Sequence, residues 1–190
     1  DAGLDPGVID VEAFALHNAF ERSYPGIRDG LVALVNIGHE TTNVNLMSDG
    51  APVLVRDVPF GTRRLRESLQ REKGMTADRA EDVLNGREDP AALRSLLDER
   101  VDELAVGIER AVAFIVAQSG GEGVRRVYLS GGGAGVTGMV DAIGARMGVP
   151  VEIASPLHKV RVRPEVMESV PMEQLAPMLM LPVGLALRQA

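Results

Sequence analysis

Three strand signals stand in a row with only turns between them, at residues 31–37, 42–47 and 52–58. The links are a short polar stretch, GHET, and the triplet SDG at Ser48 to Gly50, a hairpin signal. Strands joined this closely pair antiparallel. Beyond residue 58 helical periodicities separate the two remaining strand signals, VRRVYLS and VPVEIA. The expected order is β-β-β-α-(α)-α-β-α-β-α. That order describes a mixed sheet flanked by helices, an α/β layer fold.

A helix is expected before the strands, in IDVEAFALHNAFERSYPG, with Asp10 as its N-cap and Pro25-Gly26 as its stop. Thr62 is the expected cap of a helix reaching about residue 72, with Leu65 and Leu69 on one face. Thr76 is the expected cap of another, ending near Gly86. Asp89-Pro90 opens a long helix to about Ser119, in which Val101, Leu104, Ile108, Val112 and Ile115 recur at helical spacing. Met139, Val140, Ile143 and Met147 mark one more. The closing LAPMLMLPVGLALR reads as a helix, against which Pro182 counts.

Composition narrows the function. Aromatic residues make up 3% of the chain, so the core must be aliphatic. A net charge of -7 argues against a nucleic-acid surface and against electrostatic docking on an anionic membrane. The absence of cysteine removes disulfides and thiolate metal sites and fits a cytosolic protein. No apolar run approaches the roughly 18 residues of a membrane span, so no direct span is expected. The chain opens on Asp1 and is expected to begin inside a longer one.

Two glycine-bearing segments carry the chemistry. In LVNIGHETTNV, the glycine permits close backbone approach, and Thr41 and Thr42 with nearby N–H groups suit phosphate oxygens. The same residues also suit a plain hairpin turn. In YLSGGGAGVTG a buried strand empties into a glycine run before a helix, where free N–H groups meet an anionic or flat ligand. A flexible loop is the alternative. Gly133, Gly135 and Gly138 also match G-x-G-x-x-G, with Glu152 about 20 residues on, which is the dinucleotide fingerprint. Against that fingerprint, the residues after Glu152 show no further βαβ alternation.

Taken together, the hairpin, followed far downstream by YLSGGGA, resembles the actin-like ATPase superfamily. Within it the chain is similar to the PilM family, the cytoplasmic actin-like proteins of type IV pilus assembly. The segments that carry this are VDVEAFALHNAFE-like text at the start, ALVNIG, TNVNLMSDG, VRDVPFG, AEDVLNG and the terminal VGLALR. The resemblance implies an actin-like (ribonuclease H-like) ATPase fold with one lobe largely complete and the other mostly missing. Residues 1–30 would be the remnant of the first lobe and 31–190 the second, with about 74–97 as its small helical subdomain. ATP with Mg would lie between the lobes. Gly38, His39, Glu40, Thr41 and Thr42 would face the β- and γ-phosphates, Gly131, Gly132, Gly133 and Ala134 the adenosine, and Glu81 the ribose.

The resemblance further implies a scaffold at the inner membrane, reached through the cytoplasmic tail of a PilN-like membrane protein whose groove lies mostly in the missing lobe. Other pilus platform proteins and self-association belong to the same expectation, as does a role in twitching motility. There are three departures from the pattern. Asn36 stands where the superfamily usually carries an aspartate, although some PilM-like sequences also share the asparagine; its contact with Mg would be indirect, through water, and hydrolysis at most slow, and Asn36→Asp is then expected to raise turnover. Leu84 stands where relatives often carry a lysine. The first phosphate loop lies outside the chain, which by itself is expected to bind nucleotide poorly. The alternatives are an actin-fold phosphotransferase of the sugar-kinase type, for which no general base can be named, and a dinucleotide-binding oxidoreductase domain.

Other residues read more simply. His17, His39 and His158 are far apart in sequence for a metal site. Glu99 and Glu103 fit a solvated helix face, and Arg125 and Arg126 a solvated loop. Lys159, Arg161 and Arg163 alternate as in a charge-protected edge strand, with a partner contact as the alternative. Met167, Met172, Met178 and Met180 read as adaptable core packing, with a protein-binding surface as the alternative.

Overall fold

Strand β1 (Leu31–Ile37) is buried at all seven positions, and a strand buried on both faces must be covered on both. Its partners follow from chain order. Strand β2 (Thr42–Ser48) runs antiparallel beside it, and β3 (Ala51–Val58) runs antiparallel beside β2. Asp49 and Gly50 both have positive φ, 51° and 85°, the geometry of the two-residue hairpin that the Asp-Gly pair favours. On the other side β4 (Arg126–Ser130) lies parallel to β1, and β5 (Val151–Ile153) lies parallel to β4. The sheet order is β3-β2-β1-β4-β5, the expected mixed sheet. The computed structural model describes residues 3, 7–27, 30–160, 163 and 172–188.

Strand parity divides the core in two. Ala33, Val35 and Ile37 face a layer made by α2 (Thr62–Lys73), α3 (Ala77–Leu84), α4 (Ala91–Ser119) and α5 (Met139–Met147), where Leu65, Leu69, Leu104 and Ile143 are fully buried. Val32 and Leu34 face the opposite way, onto Leu16, Ala19 and Phe20 of α1 (Glu12–Ser23) and onto Met180. Burying one such aliphatic side chain contributes about 1.5–3 kcal/mol. Asn36 shares the parity of Val32 and Leu34, so it points to the α1 face.

Local signals were modified by tertiary partners. Thr76 caps α3, accepting from Arg79 N–H at 3.3 Å. Asp10 and Thr62 are not caps. The N-cap of α1 is Val11, while the Asp10 carboxylate accepts from Arg188. The N-cap of α2 is Gly61, and Thr62 is the first helical residue. At α4 the Asp89 carboxylate accepts from Ala91 N–H at 3.0 Å, with Pro90 in the cap position.

The closing segment is not one helix. It is divided into α6 (Met172–Leu175), a 3₁₀ turn (Ala176–Leu179) and α7 (Met180–Ala186). Pro177 is the second residue of the turn. Pro182 falls in the first turn of α7, where a missing N–H forfeits no intrahelical bond. Among the described residues no helix is long and apolar enough to cross a membrane.

Candidate functional site

Because β1 and β4 are parallel and paired Asn36 to Ser130, both strands end at one edge of the sheet. The chain leaving β1 makes the turn Gly38–Thr41, closed by Gly38 N–H donating to the Thr41 carbonyl at 3.0 Å. The chain leaving β4 enters Gly131 at φ 81° and then a 3₁₀ turn, Gly132–Gly135. A Cβ on Gly131 would lie 2.5 Å from the Ile37 carbonyl oxygen and 2.7 Å from Asn36 Oδ1. A Cβ on Gly133 would run into the Ile37 side chain. The glycines therefore let the second turn lie directly on the end of β1. Gly131 N–H is held by the Pro177 carbonyl at 2.9 Å.

The first turn is clasped by the start of α2. Thr62 N–H donates to the Gly38 carbonyl at 3.1 Å and Arg63 N–H to the His39 carbonyl at 2.9 Å. The Arg63 guanidinium donates to Glu40 Oε1 at 2.6 Å, and the Thr62 hydroxyl lies 3.4 Å from His39 Nδ1. Thr41 is exposed. Thr42 is buried, and its hydroxyl donates to the Phe60 carbonyl at 2.8 Å, so it anchors the strand end.

Helix α3 approaches from the other side. Thr137 N–H donates to the Leu84 carbonyl at 3.0 Å, fastening the end of α3 to the glycine segment. Asn85 Nδ2 donates to Glu81 Oε1 at 3.0 Å and to the Glu81 carbonyl at 2.9 Å, which fixes the Glu81 carboxylate.

These pieces enclose a cavity of about 300 Å³. His39, Thr62, Arg66, Glu81 and Asn85 give it polar walls, and Leu84, Val136 and Met178 apolar ones. Gly132 completes the lining, and a Cβ there would meet nothing within 4 Å. The cavity thus gathers His39, Glu81 and Gly132 from the three expected segments. Gly38, Gly131, Gly133 and Ala134 form the backbone behind it, Ala134 being buried. Glu40 is turned to Arg63. Thr62, Arg66, Asn85, Val136 and Met178 line the cavity without having been expected there. Arg66 stands one helical turn after Thr62, a spacing that could have found it; Met178, expected in the core, is instead 53% exposed.

Asn36 sits beneath the junction of the two turns. Its Nδ2 donates to Glu12 Oε1 at 2.6 Å, and its Oδ1 accepts from the Ser130 hydroxyl at 3.1 Å.

The remaining candidates are dispersed. His17 contacts Met47 Sδ at 3.5 Å, and His158 packs edge-on to Tyr24. No group of three or more His, Cys, Asp or Glu among the described residues is arranged to hold a metal ion. Glu152, which a dinucleotide site needs for a ribose, is paired with Arg126, and Arg125 with Glu122. Glu103 is paired with Arg64 and Arg100. Lys159 ends a 3₁₀ turn (Pro156–Lys159), while Arg161 and Met167 lie outside the described residues. Met180 is fully buried.

The family model for type IV pilus assembly protein PilM matches residues 1–190. The chain belongs to the PilM family. This PilM-family chain superposes on a solved PilM-PilN type IV pilus biogenesis complex with a TM-score of 0.82 and 27% identity, covering 98% of this chain and 54% of that one. It therefore spans about half the length of that relative. Two more distant structures share the fold. MreB 5 of Spiroplasma citri, bound to AMPPNP, matches at 14% identity and TM-score 0.60, over 97% of this chain and 59% of that one. Ta0583, an archaeal actin homolog, matches at 16% and 0.59, over 93% and 53%. The fold of this PilM-family protein is actin-like, and the chain is an actin-like protein of type IV pilus assembly.

Proposed function

We propose that the cavity is part of an ATP site in a two-lobed scaffold protein of type IV pilus assembly. The observation that carries this is the seating of Gly131 on Ile37. It brings both glycine turns to one edge, where they share a cavity with Glu81. The walls offer side chains for each part of a nucleotide: Leu84, Val136 and Met178 for the base, the fixed Glu81 carboxylate for ribose hydroxyls, and Thr62, His39 and Arg66 for phosphates. A volume of about 300 Å³ is at the lower limit for small-molecule sites. The rest of the site would come from a first lobe, of which residues 1–30 are the remnant and 31–190 the second lobe, with about 74–97 as its helical subdomain.

For Mg the fit is partial. The Asn36 amide is engaged at both ends, leaving one carbonyl lone pair for a metal-held water. Asn36 suits that indirect contact and not direct coordination. Bound ATP would supply charge and the energy of its phosphoanhydride bonds; this chain's residues would bind and orient it, with hydrolysis slow.

The matched structure is a PilM-PilN complex, and the same kind of partner, the cytoplasmic tail of a PilN-like membrane protein, is proposed here. That tail would hold the protein at the inner membrane. Calorimetry on the full-length protein tests the reading, with ATP, NAD and a synthetic PilN-like tail peptide as titrants. ATP should bind with Mg present and NAD should not. Absence of ATP binding, or preference for NAD, overturns it.

A further inference from the structure

The charge pattern around the cavity singles out one residue. Arg22, Arg56, Arg94, Arg110 and Arg163 make no ion pair among the described residues, and all five are exposed. Arg66 also makes none, yet it is half-buried and lines the cavity. A partly desolvated cation without a counter-ion is costly unless an anion joins it. The arginines beside it on α2 are already engaged, Arg63 with Glu40 and Glu67, and Arg64 with Glu103.

The start of α2 does not supply that positive charge through its backbone. A helix start is an anion site when its N–H groups are free. At α2 the Thr62, Arg63 and Arg64 N–H groups donate to the carbonyls of Gly38, His39 and Gly61. On this helix the Arg66 side chain is the cation that remains at the cavity. A guanidinium is always charged. Arg66 follows Thr62 by one helical turn and lines the same cavity as Thr62 and His39.

We propose that Arg66 is the phosphate-recognising residue of this cavity, selecting ligands by their phosphate chain and not by their base. The inference rests on the nucleotide reading above and deepens it. Guanidinium–phosphate hydrogen bonds are charge-assisted and frequently bidentate, so one residue can set the preference for a polyphosphate.

The test uses the full-length protein as wild type, Arg66→Met and Arg66→Lys, titrated with ATP, ADP, AMP and adenosine. Arg66→Met should weaken ATP and ADP by about tenfold or more and leave adenosine within about twofold. Arg66→Lys should recover part of the loss, and ATP affinity should depend less on salt in Arg66→Met than in wild type. Unchanged ATP affinity in Arg66→Met overturns the inference. So do equal losses for ATP and adenosine, which assign the residue to the base or to the cavity's shape. A wild type that binds none of the four removes the nucleotide reading itself and the inference with it, a failure distinct from the other two.

Discussion

Asn36 donates its side-chain amide to the Glu12 carboxylate at 2.6 Å, joining the end of β1 to the first turn of α1. Sequence reasoning expects Asn36→Asp to raise turnover in the full-length protein. The geometry adds a prior effect on stability, because the substitution sets two carboxylates against each other. The new carboxyl should titrate above the ordinary range. Its penalty is absent below the unfolded carboxylate pKa and complete above the raised folded value. Asn36→Asp should therefore lower Tm by about 3–5 °C at neutral pH, corresponding to about 1.5 kcal/mol, with the deficit shrinking towards pH 4. Adding Glu12→Gln should restore it. Thermal unfolding at both pH values checks this, and a pH-independent deficit contradicts it.

Gly131 and Gly132 are adjacent yet should respond oppositely to alanine. At Gly131, φ is 81° and a Cβ would press on the Ile37 carbonyl, so Gly131→Ala should destabilise the fold by about 2 kcal/mol or more. At Gly132 a Cβ meets nothing within 4 Å, so Gly132→Ala should fold with wild-type stability. Its methyl group would enter the cavity and should weaken ATP binding in the full-length protein about tenfold. Urea unfolding and calorimetry separate the two. Equal stability losses would show that the turn is held by something other than its seat on β1.

The sheet was legible because its signals are local. Continuous apolar character marks β1, Asp49-Gly50 dictates the hairpin, and Asp89 and Thr76 supply side chains that do accept helix N–H groups. Asp10 and Thr62 carry equally good cap chemistry, but a residue 178 positions away takes the first and the turn at His39 positions the second. Which acceptor a side chain finds is a tertiary property. The same holds for the site. Gly38 and Gly131 could be named from their motifs. The pairing of Asn36 with Ser130 and Glu12, and the entry of Arg66 and Met178 into the cavity, depend on strand register and on how α1, α2 and the closing turn pack.

Gly184 lets α7 touch α1, since a Cβ there would collide with the Ala15 carbonyl. Gly184→Ala must separate the helices that cover the Val32–Leu34 face. The expected cost is about 1–3 kcal/mol, as for overpacking. Gly144→Ala is the control: it also lies in a helix, but its Cβ would find only ordinary contact with Val151 at 3.6 Å. That variant should be neutral or more stable by up to about 1 kcal/mol. Chemical denaturation of both checks the pair, and equal losses would remove the claim that α1 and α7 cross at Gly184.

Asp10 and Arg188 join the two ends of the described chain. Arg188 Nε donates to Asp10 Oδ2 at 2.7 Å and Nη2 to Oδ1 at 3.0 Å. The Arg188 hydrogen bonds hold the Asp10 carboxyl below the ordinary carboxylate range; burial opposes them, and the Val11 N–H assists. A carboxyl with a lowered folded pKa stabilises fully above its unfolded value, and that stabilisation is lost as pH falls through the folded value. Arg188→Gln should let the Asp10 carboxyl titrate higher, read by NMR. It should also make the protein less stable than wild type at pH 7, with the two converging as pH falls through the lowered Asp10 value. Curves that stay parallel over that interval would mean that Arg188 acts through packing against α1 and not through the Asp10 charge.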